Sequence, residues 1–95
     1  MQLFSFENEV FEHDDIYTTY QNKLLILHDV LFYDGPLTLQ YLPFGGIQST
    51  YNYHLIIHVK NGYIYPSKIT YQNKTYQEKE FVETYENLVN QVLPN

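Results

Sequence analysis

The chain has 95 residues, a formal net charge of −6, 44% hydrophobic and 18% aromatic side chains, and no cysteine. That length suits one domain with one modest core, the composition is too apolar for a disordered chain, and the lack of cysteine removes disulfides, thiolate metal sites and cysteine nucleophiles, as fits a cytoplasmic protein. The five cations are all lysine and face eleven acids, so direct binding to nucleic acid or an acidic membrane is disfavoured.

The charge is uneven. Residues 1–50 hold Glu7, Glu9, Glu12, Asp14, Asp15, Asp29 and Asp34 against Lys23 alone, whereas in residues 51–95 Glu78, Glu80, Glu83 and Glu86 are balanced by Lys60, Lys68, Lys74 and Lys79. No basic region followed by an apolar run opens the chain, and no apolar stretch reaches the roughly 20 residues of a membrane helix. Neither a signal peptide nor a membrane span is expected.

Gln2 to Phe6 reads as a short edge strand. From Glu7 to Asp15 five acids fall within nine residues. This stretch is expected as an irregular segment anchored by Phe4, Phe6 or Val10, and Phe11, with its acids in water, or as a short helical turn over Glu7 to Phe11. Ile16 to Gln21, rich in β-branched and aromatic residues, predicts a strand, and Asn22-Lys23 a two-residue turn. Leu24 to Tyr33 is apolar or aromatic except at His28 and Asp29, and Asp34-Gly35-Pro36 closes it. It predicts a central strand, both of whose faces need cover. Leu37 to Leu42 predicts a third antiparallel strand.

The Gly45-Gly46 pair in Pro43 to Ser49 predicts a structural loop; if it served binding, Phe44 and Ile47 would be exposed at its tip. It lacks the Lys-Ser/Thr and the following helix of a phosphate cradle. Thr50 to Val59 alternates, with Tyr51, Tyr53, Leu55, Ile57 and Val59 on one face and Asn52, His54, Ile56 and His58 on the other. Asn61-Gly62 predicts a hairpin that returns Tyr63 to Tyr65 onto Val59, with Pro66 and Ser67 interrupting the return strand near an edge. Ile69 to Gln72 then resumes toward a turn at Asn73-Lys74. The pentad Thr-Tyr-Gln-Asn-Lys occurs at residues 19–23 and again at 70–74, and reads as repeated turn chemistry.

Thr75 to Glu78 has the form of a capping box, and Phe81, Tyr85, Leu88 and Val92 follow at helical spacing. A helix over residues 77–93, ended by Pro94, is expected. The predicted fold class is therefore α+β: an antiparallel, strongly twisted sheet of four to six strands, largely a meander, with one C-terminal amphipathic helix on one face. Its parts are an acidic segment (1–15), the sheet (16–72) and the helix (77–93).

Candidate chemistry is sparse. His54 and His58 share a face of the expected strand, but four residues of strand separate them by roughly 13 Å, too far for one zinc ion with bonds of about 2 Å. His28 and Asp29 point to opposite faces. His13 lies beside Asp14 and Asp15, which would raise its pKa. There is no G-x-S-x-G elbow, and the carboxylates of the first half sit in wet surroundings. No catalytic residue, metal or cofactor is expected, and the chain reads as non-enzymatic.

The eleven tyrosines exceed what so small a core can bury, and exposed tyrosines are favoured interface anchors. The reading is a small acidic binding protein: an inhibitor docking on a basic surface of a nucleic-acid-processing or defence enzyme, including by DNA mimicry. Its partner-binding residues would be Glu7, Glu9, Glu12, Asp14, Asp15 and Asp34, with Phe44 and Tyr17. The alternative is an accessory or assembly protein forming a homodimer or small complex through its sheet face, and a small enzyme ranks third. In size, charge and aromatic content the chain resembles phage-encoded inhibitors of host enzymes or defence systems, which implies action in a host cytoplasm; the resemblance rests on no motif and carries no residue over.

Overall fold

A computed structural model describes residues 2–37 and 41–94. The repeated pentad marks two equivalent hairpins. Strand β1 (Ile16–Tyr20) pairs with β2 (Lys23–His28), Tyr20 facing Lys23, and β7 (Lys68–Tyr71) pairs with β8 (Lys74–Gln77), Tyr71 facing Lys74. The turns are thus Gln21-Asn22 and Gln72-Asn73, one residue earlier than expected. All four turn residues have left-handed φ, 51° and 65° in the first and 52° and 64° in the second. A tight hairpin turn of this kind needs positive φ at both central positions; asparagine tolerates it better than lysine, so the lysine moves into the strand.

The two hairpins lie side by side through β2 and β7, giving the order β1-β2-β7-β8. At their shared end the Tyr71 hydroxyl donates to the Tyr20 carbonyl at 2.8 Å, a buried bond between the repeated tyrosines. A second antiparallel sheet has the order β3-β6-β5-β4, made of β3 (Leu31–Phe32), β4 (Ile47–Ser49), β5 (Ile56–Val59) and β6 (Gly62–Tyr65).

The expected central strand is therefore two strands in two sheets. It bends at Asp29, whose φ is 49°, and opposite that bend Pro66 and Ser67 separate β6 from β7. His28 faces Lys68 before the break and Leu31 faces Tyr65 after it, so one long antiparallel pair passes from sheet to sheet. Ser67 clamps the corner: its N–H donates to the His28 carbonyl at 2.9 Å and its hydroxyl to the Asp29 carbonyl at 2.8 Å. Pro66 has no N–H to leave unpaired there.

Both sheets close on one core, in which Phe6, Val10, Ile16, Leu25, Leu27, Val30, Ile57, Ile64, Ile69, Tyr71 and Phe81 are buried. The other face of β2 stays outside, with Leu24 38% exposed and Ile26 and His28 half-buried.

Four expectations change. Thr50 to Val59 is not one strand: Tyr51–Tyr53 forms a 3₁₀ turn with φ of 55° at Asn52 and 62° at Tyr53, and strand begins only at Ile56. Because β4 pairs back onto β5, the chain must turn between them, and the alternation of residues 50–55 belongs to that connection. The Asn61-Gly62 turn is shifted to Lys60-Asn61, since Val59 faces Gly62. Gln2 to Phe6 is not a strand; Phe4 N–H reaches the Tyr17 carbonyl at 2.7 Å, and the segment then turns away. The expected strand at Leu37 to Leu42 lies partly outside the described residues, and Leu37, Tyr41 and Leu42 are not in strands.

The helix is also shorter than expected. Helix α1 spans Glu78–Thr84, with Phe81 buried beneath it. Thr75 lies in β8 and makes no cap, and Gln77 precedes the helix without a side-chain bond to it. Beyond α1 the chain pairs instead with the edge of β4: Asn90 N–H donates to the Ile47 carbonyl (2.9 Å), Ile47 N–H to the Gln91 carbonyl (2.8 Å) and Leu93 N–H to the Gly45 carbonyl (2.8 Å). Asn87 and Asn90 take φ of 60° and 77°, which breaks the helix. Continued past Thr84, the helix would have to take in Asn87 and Asn90, which favour turns, and α1 has no base in its last turn, so it competes poorly with these sheet bonds. Leu88 of the expected stripe still reaches the core and Leu93 joins it, whereas Val92 of that stripe is 47% exposed because the segment runs as an extended edge and not as a helix.

Candidate functional site

The acidic segment is an ordered loop. Phe6 and Val10 are fully buried, and Phe4 packs edge-on against Phe6 with ring centres 5.2 Å apart. The Asn61 side chain holds Val10 at both backbone groups, and His13 N–H and the Asp14 carbonyl bracket Val30 at 2.7 and 3.0 Å. Asp14 accepts from Phe11 N–H at 2.9 Å, closing a turn that leaves Phe11 66% exposed. Asp15 accepts from Asp29 N–H at 2.9 Å, tying the loop to the bend between β2 and β3.

The predicted partner-binding residues thus divide. Glu7, Glu9 and Glu12 are exposed, and among the described residues none of the three has a cation within ion-pair distance. Asp14 and Asp15 are committed to backbone N–H groups. Tyr17, half-buried on β1, lines one groove with Phe4, Asn8 and Asp15. Asp34 lines a different concavity. Phe44 is half-buried, edge-on to His58 at 5.1 Å, and Ile47 is buried in β4, so the Gly45-Gly46 loop has no exposed apolar tip of the kind considered.

His13 pairs with Asp29 at 2.6 Å in the open. The hydrogen bond and then the charge of Asp29 raise its pKa, with a smaller contribution from Glu12. The neighbours Asp14 and Asp15 are not the cause; the partner lies 16 residues away across the β2–β3 bend.

A second cluster lies where β5 and α1 begin. Glu78 accepts Leu55 N–H at 2.7 Å and meets His54 Nδ1 at 2.8 Å, with 12% of its side chain exposed. Burial pushes its pKa up, against the opposing pull of the bonds from His54 and Leu55. The His54 ring lies 4.3 Å from that of Tyr65 and 6.3 Å from that of Tyr33. These rings wall a concavity of about 270 Å³ that Asp34 and Tyr51 also line. His58 is engaged elsewhere, with Nδ1 2.7 Å from the Leu42 carbonyl and its ring stacked on Tyr63.

His28 and Asp29 likewise serve separate partners, His28 Nε2 lying 2.8 Å from the Thr70 hydroxyl. Among the described residues no group of three potential metal ligands occurs, and no helix is long and apolar enough to cross a membrane.

Sequence reasoning treated Phe11 as an anchor, but it is the exposed apolar residue of the acidic loop. Nothing local in the sequence points to the His54–Glu78 pair: Glu78 fits the form of a capping box, and no local spacing links residues 24 apart. Compared with protein-family models, curated proteins and solved structures, the chain matches none.

Proposed function

We propose that this chain is a non-enzymatic, cytoplasmic docking protein whose Glu7 to Asp15 loop binds a basic surface of a partner protein and blocks its contacts with phosphate. The observation that carries this reading is the pairing of exposure with order. Glu7, Glu9, Glu12 and Phe11 project from a loop whose backbone is already fixed by Asn61, Val30 and Asp29.

Carboxylates steer association with a basic patch, and a pre-ordered loop loses little conformational freedom on binding. Phe11 supplies the apolar anchor that a purely electrostatic contact lacks. The same chemistry would let the loop substitute for a nucleic-acid backbone on a nucleic-acid-processing or defence enzyme.

A homodimer through the outer face of β1-β2-β7-β8 is the weaker reading, because the large apolar side chains there, Tyr17, Leu24 and Ile26, stand among Thr19, Thr70 and Thr75. Capture from the source cell at low and high salt tests the docking reading. A partner with a basic surface, retained at low salt and released at high salt, is expected. A partner whose retention is indifferent to salt counts against it.

A further inference from the structure

We infer that Asn61 is a site of self-modification: the Gly62 backbone nitrogen displaces ammonia from the Asn61 side-chain amide, and the aspartate or isoaspartate that results releases the acidic loop from the β5–β6 turn. Of the eight asparagines only Asn61 precedes a glycine. The neighbour matters because ring closure brings the nitrogen of residue 62 against the Asn61 side chain, and a Cβ on residue 62 would crowd that approach. Packing does not pin Gly62 either, since an added Cβ would meet nothing nearer than the Phe32 ring at 3.7 Å. Asn61 is exposed at the hairpin tip, where water reaches it.

The reaction needs no reagent but water. Gly62 N gives up its proton and bonds to Asn61 Cγ, the Cγ–Nδ2 bond breaks, and Nδ2 departs as ammonia, leaving a succinimide. Water then adds to one of the two ring carbonyls. Opening at Cγ gives aspartate; opening at the Asn61 main-chain carbonyl gives isoaspartate, in which the backbone runs through the side chain and gains a methylene. In both products –NH2 has been exchanged for –OH.

The fold couples this chemistry to the loop. Val10 N–H donates to Asn61 Oδ1 at 3.1 Å, and Asn61 Nδ2 donates to the Val10 carbonyl at 2.8 Å, a pairing that fixes which end of the amide is oxygen. While both bonds hold, the side chain is not free to rotate onto the Gly62 nitrogen. Cyclisation therefore waits for the grip to open, and afterwards the full grip cannot return. A carboxylate only accepts, so the Val10 carbonyl then faces an acceptor where it had a donor.

Isoaspartate adds a second disturbance, because its extra methylene lengthens a two-residue turn whose flanking residues, Val59 and Gly62, face each other. The loop keeps Phe6 in the core and its bonds to Val30 but loses its hold at Val10. The change is one-way. It stands whether or not the loop docks on a partner, and its test needs no partner.

The full chain is aged in buffer at neutral and mildly alkaline pH, folded and in urea, and followed by peptide mass mapping, with an isoaspartyl methyltransferase labelling isoaspartate. Conversion at Asn61 ahead of every other asparagine is expected, severalfold slower in the folded chain than in urea. Val10→Ala, which thins the buried anchor, and the milder Asp15→Ala, which unties the loop from Asp29 N–H, are expected to speed folded-state conversion severalfold. Amides around Val10 are expected to exchange about tenfold faster in the aged chain, and in Asn61→Asp without ageing, while β1 amides stay as they were.

Conversion of another asparagine first, equal rates in the folded and unfolded chains, or no folded-state conversion even in the two loosened variants overturns the assignment. So does an aged chain or an Asn61→Asp variant whose loop amides exchange as slowly as those of the fresh wild type.

Discussion

Asn61 grips Val10 by both ends of its amide: Oδ1 accepts the Val10 N–H at 3.1 Å, and Nδ2 donates to the Val10 carbonyl at 2.8 Å. The β5–β6 turn thereby acts as a surrogate strand for the acidic loop, which has no sheet partner of its own at that point. Asn61→Ala leaves two part-buried backbone groups of Val10 unpaired, a loss of about 1–3 kcal/mol. Chemical denaturation is expected to show that loss, and amide exchange to show faster opening around Val10 than in β1. Unchanged exchange there would mean the loop is held by its buried phenylalanine alone.

The exposed His13–Asp29 pair gives a pH dependence whose sign is set by the raised histidine pKa. The folded state binds this proton more tightly than the unfolded state does, so the stabilisation is fully present below the ordinary value of 6.5 and is lost as pH rises through the folded value. NMR titration is expected to find His13 above 6.5, and Asp29→Asn to bring it back toward that value. A His13 titration unaffected by Asp29→Asn would show the contact is not made in solution.

Glu78 has the opposite chemistry but the same direction in pH. Its carboxyl is raised by burial, so ionisation is penalised in the folded state, and this contribution to stability declines as pH rises through the folded value. Glu78→Gln keeps an acceptor for Leu55 N–H and removes the charge, and is expected to flatten the dependence with little loss of stability. Glu78→Ala leaves Leu55 N–H unpaired and is expected to cost about 1–3 kcal/mol in denaturant melts. Equal effects of the two substitutions would contradict this account.

Gly45 is the glycine whose replacement matters most. Its φ is 93°, and an added Cβ would lie 2.6 Å from the Leu93 carbonyl oxygen. Gly45→Ala is expected to cost about 1–3 kcal/mol from the backbone conformation alone, and more if the tail is displaced. Amide exchange at Leu93, which donates to the Gly45 carbonyl, reads that displacement directly. Normal Leu93 protection in a fully stable variant would rule it out.

What could be read from the residues was local. The α+β class, the hairpin nature of the two Thr-Tyr-Gln-Asn-Lys pentads and the burial of Leu25, Leu27 and Phe81 all follow from side-chain pattern and turn chemistry. The misses were tertiary. Helical spacing from Phe81 to Val92 was real, but the edge of β4 offered hydrogen bonds that no pattern in that segment reveals.

Within the apolar run from Leu24 to Tyr33 only the polar pair His28-Asp29 marks the place of the bend, and the clamp that holds it comes from Ser67, 38 residues from Asp29. In the acidic loop the exposure of Glu7, Glu9 and Glu12 was legible, whereas the use of Asp14 and Asp15 as backbone acceptors required knowing which N–H groups the fold brings to them. Tyr33, Tyr65 and His54 come together only because β3 and β6 are neighbours and α1 begins beneath them.

The central claim is that Glu7, Glu9 and Glu12 dock on a basic partner surface with Phe11 as anchor. The direct measurement is the binding kinetics of the captured partner across a salt series, with the wild-type chain, the Glu7→Gln/Glu9→Gln/Glu12→Gln triple variant and Phe11→Ala. Neutralising the three acids is expected to slow association by about tenfold or more at low salt and to remove most of the salt dependence, while Phe11→Ala speeds dissociation. A triple variant that associates as fast as the wild type, with the same salt dependence, would contradict the claim.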